Sequence, residues 1–246
     1  MSLLLEIAAF SAESAILAQE AGANRIELCD NPTEGGTTPS YGTICYAREK
    51  LSIPLFPIIR PRGGDFLYSD ACFEIMKKEV RFCKEIGCDG VVVGLLDKDG
   101  NIDLQRCSKL IELAYPMEVT FHRAFDRVRD PFKSLEQLID LGVQRILTSG
   151  QYPTAPEGAQ TIRALVQQAD QRIIIMPGSG VRDNNLEQLI KETGASEYHT
   201  AARIAVDSAM EFIHPTMGAE TASVGVDTAM IKRIRTILDA QLEASL

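Results

Sequence analysis

The stretch EIGCDGVVVGLL, residues 85–96, passes from a helix-like segment through a glycine into a run of β-branched residues. Valine favours strands, because its branched side chain fits the pleated surface of a sheet. Gly87 suits the left-handed backbone position that ends many helices. The stretch therefore predicts one junction of a repeating order, in which a helix is followed by a strand.

The same order recurs along the chain, with a glycine before the strand also at Gly22, Gly142 and Gly194. Strand-like runs occupy residues 3–10, 25–29, 54–61, 90–96, 118–124, 145–150, 172–178 and 197–201. Helix patterns follow them at residues 12–22, 40–51, 70–87, 103–115, 131–141, 158–169, 184–193 and 227–243. Eight such units predict a parallel sheet, and eight is the number that closes a barrel.

We therefore predict an α/β protein that is a single (β/α)8 TIM barrel domain over residues 1–246, with an open doubly wound sheet as the alternative. No Ser/Gly-rich linker divides the chain. One segment, residues 203–226, follows neither pattern and stands between the eighth strand and the last helix. We expect this irregular segment to lie over the C-terminal mouth of the barrel.

The chain of 246 residues has a net charge of −9. This argues against nonspecific binding to nucleic acid or to an anionic membrane, since both require a basic surface. The apolar runs are shorter than the roughly 20 residues of a membrane span, and no basic signal region precedes Glu6. The six cysteines have no dense spacing and no CxxC. We expect them to be reduced, in a cytoplasmic protein.

Alternation along the predicted strands places several polar side chains inside the barrel. Burying so many charges requires partners. Two interpretations follow, an ion-pair network that holds the strands together or a functional mouth at the C-terminal strand ends. The residues predicted to point inward are Glu6, Glu27, Cys29, Arg60, Arg62, His122 and His199.

Two loops have the composition of anion sites. RPRGGDF, residues 60–66, follows the third strand and offers Arg60, Arg62 and the acceptor Asp65. Guanidinium groups suit carboxylates and phosphates. MPGSGVRDNNL, residues 176–186, follows the seventh strand, where many barrels bind phosphate. Its candidate binding residues are Gly178, Ser179 and Gly180.

Five segments stand out together: GANRIELC (22–29), EGGTTPS (34–40), IIRPRGGDF (58–66), TFHRAFD (120–126) and ILTSGQ (146–151). Taken together, they resemble the CutC family of copper homeostasis proteins, from residue 3 to about residue 200. The resemblance implies a single (β/α)8 barrel, a cytoplasmic location and a homodimer or homotetramer. It also implies copper handling, with Cu(I) as the bound metal.

The resemblance places Cys29 on the cysteine of the family's ELC motif and His122 in its FHRAFD block. Because Cu(I) prefers soft donors, the candidate metal ligands are Cys29, His122 and His199. Many family members carry a cysteine in the first strand, where this chain has Ala8 and Ala9. A second set of soft donors in the final loop comprises Met210, His214 and Met217.

An enzyme is the alternative function. A barrel mouth with acidic, basic and imidazole groups is typical of isomerases, epimerases and lyases that act on small phosphorylated or carboxylated metabolites. In that case Glu27 and His122 would exchange protons, while Arg60 and Arg62 would hold the anionic group. No lysine stands at the end of a predicted strand, which disfavours Schiff-base chemistry.

Overall fold

The computed structural model describes residues 3–212, 214, 216, 217 and 222–243. Eight strands form the barrel wall: β1 (Leu4–Ala9), β2 (Arg25–Leu28), β3 (Leu55–Pro57), β4 (Gly90–Val93), β5 (Glu118–Phe121), β6 (Arg145–Thr148), β7 (Ile174–Pro177) and β8 (Glu197–Thr200). The helices are α1 (Ala12–Glu20), α2 (Tyr41–Lys50), α3 (Asp70–Glu85), α4 (Leu104–Ala114), α5 (Pro131–Asp140), α6 (Ala159–Ala169), α7 (Leu186–Thr193) and α8 (Thr228–Glu243). Short 3-10 helices cover Pro32–Glu34 and Arg123–Arg127.

The strands pair in parallel as two four-stranded sheets, in the orders β3-β2-β1-β8 and β4-β5-β6-β7. A bridge between Ile58 and Val92 joins β3 to β4, and β7 lies beside β8 on the other side. Each helix follows its strand in the order that the sequence predicts. The predicted TIM-barrel-like fold is confirmed.

The glycines predicted to end helices have the expected backbone conformation. Gly22, Gly87, Gly142 and Gly194 all have positive φ, between 67° and 105°, so a residue with a side chain would be strained at each. Asp130 caps α5 by accepting from the N–H groups of Phe132 and Lys133. These junctions set the length of each helix and return the chain to the barrel.

The apolar core lies mainly between the strands and the helices. Leu5, Ile7, Ile26 and Leu28 are fully buried on the helix-facing side of β1 and β2. A second, smaller cluster fills the barrel interior and comprises Cys29, Phe56, Ile58 and Val92. The predicted alternation is therefore observed, and the polar residues of the same strands are left to the inner face.

Several segments differ from their predicted extents, among them β4, which ends at Val93 rather than at residue 96. β3 ends at Pro57, and beyond it the chain keeps the backbone hydrogen bonds from Ile58 to Leu28 and from Ile59 to Val92. β5 ends at Phe121, and His122 instead caps the 3-10 helix Arg123–Arg127. The segment 203–226 is not wholly irregular, since β9 (Arg203–Val206) and β10 (Ser223–Val226) pair in antiparallel fashion. Within the described ranges, no helix has the length and apolar character needed to cross a membrane.

Candidate functional site

A cavity of about 1250 Å³ opens at the C-terminal ends of the strands. Glu27 and Cys29 enter it from β2 and its end, His122 from the end of β5, and His199 from β8. Arg60, Asp65, Ser179 and Gly180 also line it. Most of the residues that the sequence singles out thus meet in one space, because parallel strands end together at one rim of a barrel.

Beneath this cavity, an ion-pair network crosses the barrel interior. Arg25 binds the carboxylate of Glu6 through Nε, and its Nη2 lies 2.5 Å from Glu197 Oε2. Arg145 Nε approaches the same Glu197 oxygen at 2.9 Å. Burial opposes ionisation of Glu6, but Arg25 and His199 outweigh it and hold the pKa of this carboxyl well below its usual range.

His199 connects the network to the cavity. Its Nδ1 lies 2.7 Å from Glu6 Oε1 and its Nε2 lies 3.7 Å from Glu27 Oε2. Burial disfavours the imidazolium, yet the hydrogen bond to Glu6 and the charges of Glu27 and Glu6 raise the pKa of His199. Burial also raises the pKa of Glu27 to about 7, with His199 acting in the opposite direction.

Glu6, Glu27 and His199 form a buried group in which one ligand atom from each lies within 4.8 Å of the others. It is the one such set of histidine, cysteine or acidic side chains in the described part of the chain, and Cys29 and His122 lie outside it. Cys29 is nevertheless beside Glu27, and burial together with that carboxylate raises the pKa of its thiol well above the ordinary value. The thiol is therefore protonated in the free protein.

The imidazole of His122 is held by the backbone that follows it. The Ala124 N–H donates to His122 Nδ1 at 3.1 Å, so the ring hydrogen resides on Nε2. Burial and the charge of Arg60 lower the pKa of His122 to about 3. Nε2 is buried and has no hydrogen-bond partner among the described residues. His122 thus presents a neutral ring with an unpaired N–H donor.

The two arginines of the RPRGGDF loop have separate positions. The Arg60 guanidinium is buried and donates to the carbonyls of Glu34, Gly36 and Gly64 at 2.6–2.8 Å, so it joins two loops while its charge remains beside the cavity. Arg62 is half-exposed and donates to Asp65 Oδ1 at 2.7 Å. These two residues form a pair within their own loop rather than a clamp with Arg60.

The loop after β7 turns sharply at Ser179 and Gly180, which both have φ of 74°. The Gly178 N–H donates a hydrogen bond to the carbonyl of Thr148 at 2.9 Å. The N–H groups of Ser179 and Gly180 have no acceptor in the described part of the chain. Of the three residues predicted to bind an anion, two therefore have free amides at the cavity.

Sequence reasoning missed cavity residues that come from distant segments. Arg182, Arg203 and Met230 all line it, but no strand alternation points to them because they lie in a loop, in β9 and in α8. Arg123 and Asp126, three residues apart, form an ion pair in which Nε and Oδ2 are 2.8 Å apart. The final-loop donors Met210 and Met217 are exposed, and His214 contacts Thr216.

Comparison with known proteins identifies the group to which this architecture belongs. Residues 3–204 match the CutC family. The chain belongs to the CutC family. A mouse relative, named copper homeostasis protein cutC homolog, is 46% identical over 95% of this chain and 88% of its own length. The CutC protein of Chromobacterium violaceum is 47% identical over 97% of this chain and 99% of its own. A solved CutC structure from Streptococcus agalactiae superposes with a TM-score of 0.76 at 37% identity, covering 81% of this chain and 98% of that one.

Proposed function

We propose that this protein serves copper homeostasis, the role in the names of its mouse and human relatives. Copper is then the cargo of the barrel mouth, with Cys29 and His199 as its ligands. One observation carries this assignment: His199 Nδ1 is held by Glu6, 2.7 Å away. Histidine ligands commonly donate their other ring N–H to a carboxylate, which directs the free nitrogen at the metal.

The donor chemistry is compatible with Cu(I). Thiolate is a soft ligand that selects Cu(I), and imidazole suits copper as well. Cys29 is protonated in the free protein, so copper must displace a proton from its thiol, and binding should strengthen as the pH rises. His122 is not a ligand in this proposal, because the hydrogen on Nε2 occupies the position of the lone pair that a metal requires.

We also propose that the protein is cytoplasmic. All six cysteines are free thiols, which is the usual state of cysteines in a reducing compartment. They are Cys29, Cys45, Cys72, Cys83, Cys88 and Cys107.

Anaerobic titration with Cu(I), in competition with a chromogenic chelator, tests the copper site. We expect Cys29→Ser to lower the affinity by about 100-fold, since the only thiol lining the described cavity is lost. Cys45→Ser on α2 is the matched control and should bind as the wild type does. Cu(I) affinity that is unchanged in Cys29→Ser contradicts the proposal.

A gain-of-function variant provides an independent test. Ala8 lines the cavity and pairs in register with Glu27 on β2, so Ala8→Cys adds a second thiol near Cys29. We expect tighter Cu(I) binding, by about tenfold or more, because two thiolates are better soft donors than one. Ala8→Ser has nearly the same size without the soft donor and should give no gain.

A further inference from the structure

We propose that the same mouth binds a small phosphorylated carbonyl compound, with His122 donating its Nε2–H to the carbonyl oxygen and the loop after β7 holding the phosphate. This site is additional to copper handling. It uses neither Cys29 nor His199, so each proposal can fail without the other.

The first observation is the unpaired donor of His122. The side chain is 4% exposed, and its Nε2 has no partner among the described residues. Buried donors in native proteins are almost always satisfied, so an orphan on a residue that lines a cavity indicates an acceptor brought by a ligand. Because the Ala124 N–H fixes the hydrogen on Nε2, the ligand atom must be an acceptor such as a carbonyl oxygen.

The direction of this donor is fixed by packing as well. The imidazole lies against the ring of Phe66, with centroids 5.0 Å apart, and near the ring of Phe121 at 6.2 Å. On a third side it occupies the volume that a side chain at Gly94 would need. A ring packed on three sides is preorganised to donate, and preorganisation reduces the ordering cost of binding.

The charges around the donor favour an electron-rich acceptor. Burial lowers the pKa of His122, and the charge of the buried Arg60 lowers it further, so Arg60 contributes a positive potential at the ring. Arg60 keeps its guanidinium in place by binding three backbone carbonyls. A carbonyl oxygen, which carries partial negative charge, gains from both the N–H and this potential.

The second observation concerns the other end of the ligand. The N–H groups of Ser179 and Gly180 lack acceptors in the part of the chain that the structure describes, and both residues line the cavity. Arg182, two residues further on, lines it too, and its guanidinium has no ion-pair partner among the described residues. Consecutive free amides beside a guanidinium are a phosphate-binding arrangement.

Isothermal titration calorimetry with a matched pair of probes tests the assignment. Hydroxyacetone phosphate carries a phosphate and a ketone, and propyl phosphate has a methylene in place of the ketone. We expect the wild type to bind the ketone about tenfold more tightly, the usual effect of one good hydrogen bond in a water-excluded site. His122→Asn should abolish this preference, because asparagine can still accept from Ala124 N–H but lacks Nε2.

A second pair of variants tests the phosphate end. Arg182→Gln should weaken both probes by about tenfold, whereas Arg163→Gln, an exposed arginine on α6 away from the cavity, should weaken neither.

The proposal is overturned if the wild type gives no binding of hydroxyacetone phosphate at millimolar concentration. It is equally overturned if the two probes bind alike, or if His122→Asn keeps the preference. A measurement on the unaltered protein guards against a folding defect in that variant: the ¹⁵N resonance of His122 Nε2 should shift on addition of hydroxyacetone phosphate and stay in place with propyl phosphate.

Discussion

His122 shows how a short local contact can decide the chemistry of a side chain. One backbone N–H, that of Ala124, determines which ring nitrogen carries the hydrogen. Burial and Arg60 then keep the ring neutral. The residue can donate one hydrogen bond over the whole physiological pH range, and it cannot deliver a proton as an imidazolium acid.

We predict that His122 will not titrate between pH 8 and pH 5. In ¹⁵N-detected NMR its Nε2 should remain protonated and its Nδ1 unprotonated throughout, because the folded-state pKa is about 3, below the ordinary value of 6.5. A His122 ring that takes up a proton near pH 6.5 would show that Ala124 and Arg60 do not control it.

The same residue should contribute to acid sensitivity. Below pH 6.5 the unfolded chain protonates His122 while the folded protein does not, so the free energy of unfolding falls as the pH drops towards 3. For this one group the loss between pH 7 and pH 5 is about 2 kcal/mol. Urea unfolding of His122→Asn should show a correspondingly smaller drop than the wild type over the same interval.

Sequence alone places His122 in the mouth but does not reveal the tautomer or the packing of its ring. Alternation along β5 is enough to predict that Thr120 and His122 share a face. The tautomer depends on the turn that follows, and the room for the ring depends on Gly94 in another strand. Arg60 and Arg62 show the same limit, since both are arginines of one loop. Backbone carbonyls such as that of Gly36 hold Arg60 in the interior, whereas Asp65 holds Arg62 near the surface.

At the scale of elements, buried ion pairs connect strands that are far apart in the sequence. Arg25 on β2 binds Glu6 on β1 and Glu197 on β8, and Arg145 on β6 reaches Glu197 as well. The parallel ladders of β2, β1 and β8 bring these side chains to one level of the barrel. The network thus links strands of both four-stranded sheets.

Removing Arg25 should destabilise the protein strongly. Arg25→Met leaves two buried carboxylates without their shared partner, and breaking a buried pair in this way typically costs about 3–5 kcal/mol of unfolding free energy. Arg172→Met is the control, since its pair with Glu136 is exposed and such pairs contribute about 1 kcal/mol or less. If urea denaturation shows that the two variants lose the same free energy of unfolding, the interior network stabilises the protein no more than an exposed ion pair does.

The elements themselves are largely predictable because their signals are local. β-branched runs, glycines with positive φ and the Asp130 cap are all within a few residues of the boundaries they set. The errors occur where a longer-range or single-atom effect decides. After Pro57, β3 is reduced to a single bridge between Ile58 and Val92. Pairing between residues 203–206 and 223–226 depends on segments separated by a stretch with no strand pattern.

For the whole molecule, we predict a homodimer or homotetramer in solution. Ile204 and Val206 of β9 and Phe212 beyond it are 42–70% exposed, and exposed apolar side chains grouped on one segment are typical of an interface. Light scattering coupled to gel filtration should give a mass of at least two chains, and Phe212→Ser should shift it towards one. A wild-type mass of 27.0 kDa, that of one chain, would contradict this expectation.

The close approach of His122 to Gly94 limits which mutations the protein can tolerate at position 94. Every single-nucleotide missense change in a glycine codon introduces a side chain, and at position 94 any β-carbon would overlap the imidazole ring and crowd Ala124. Even alanine, the mildest replacement, must displace the ring. In a library of random codon changes selected for the function of the mouth, position 94 should therefore be depleted of every alternative, although its own atoms take no part in any bond to a ligand.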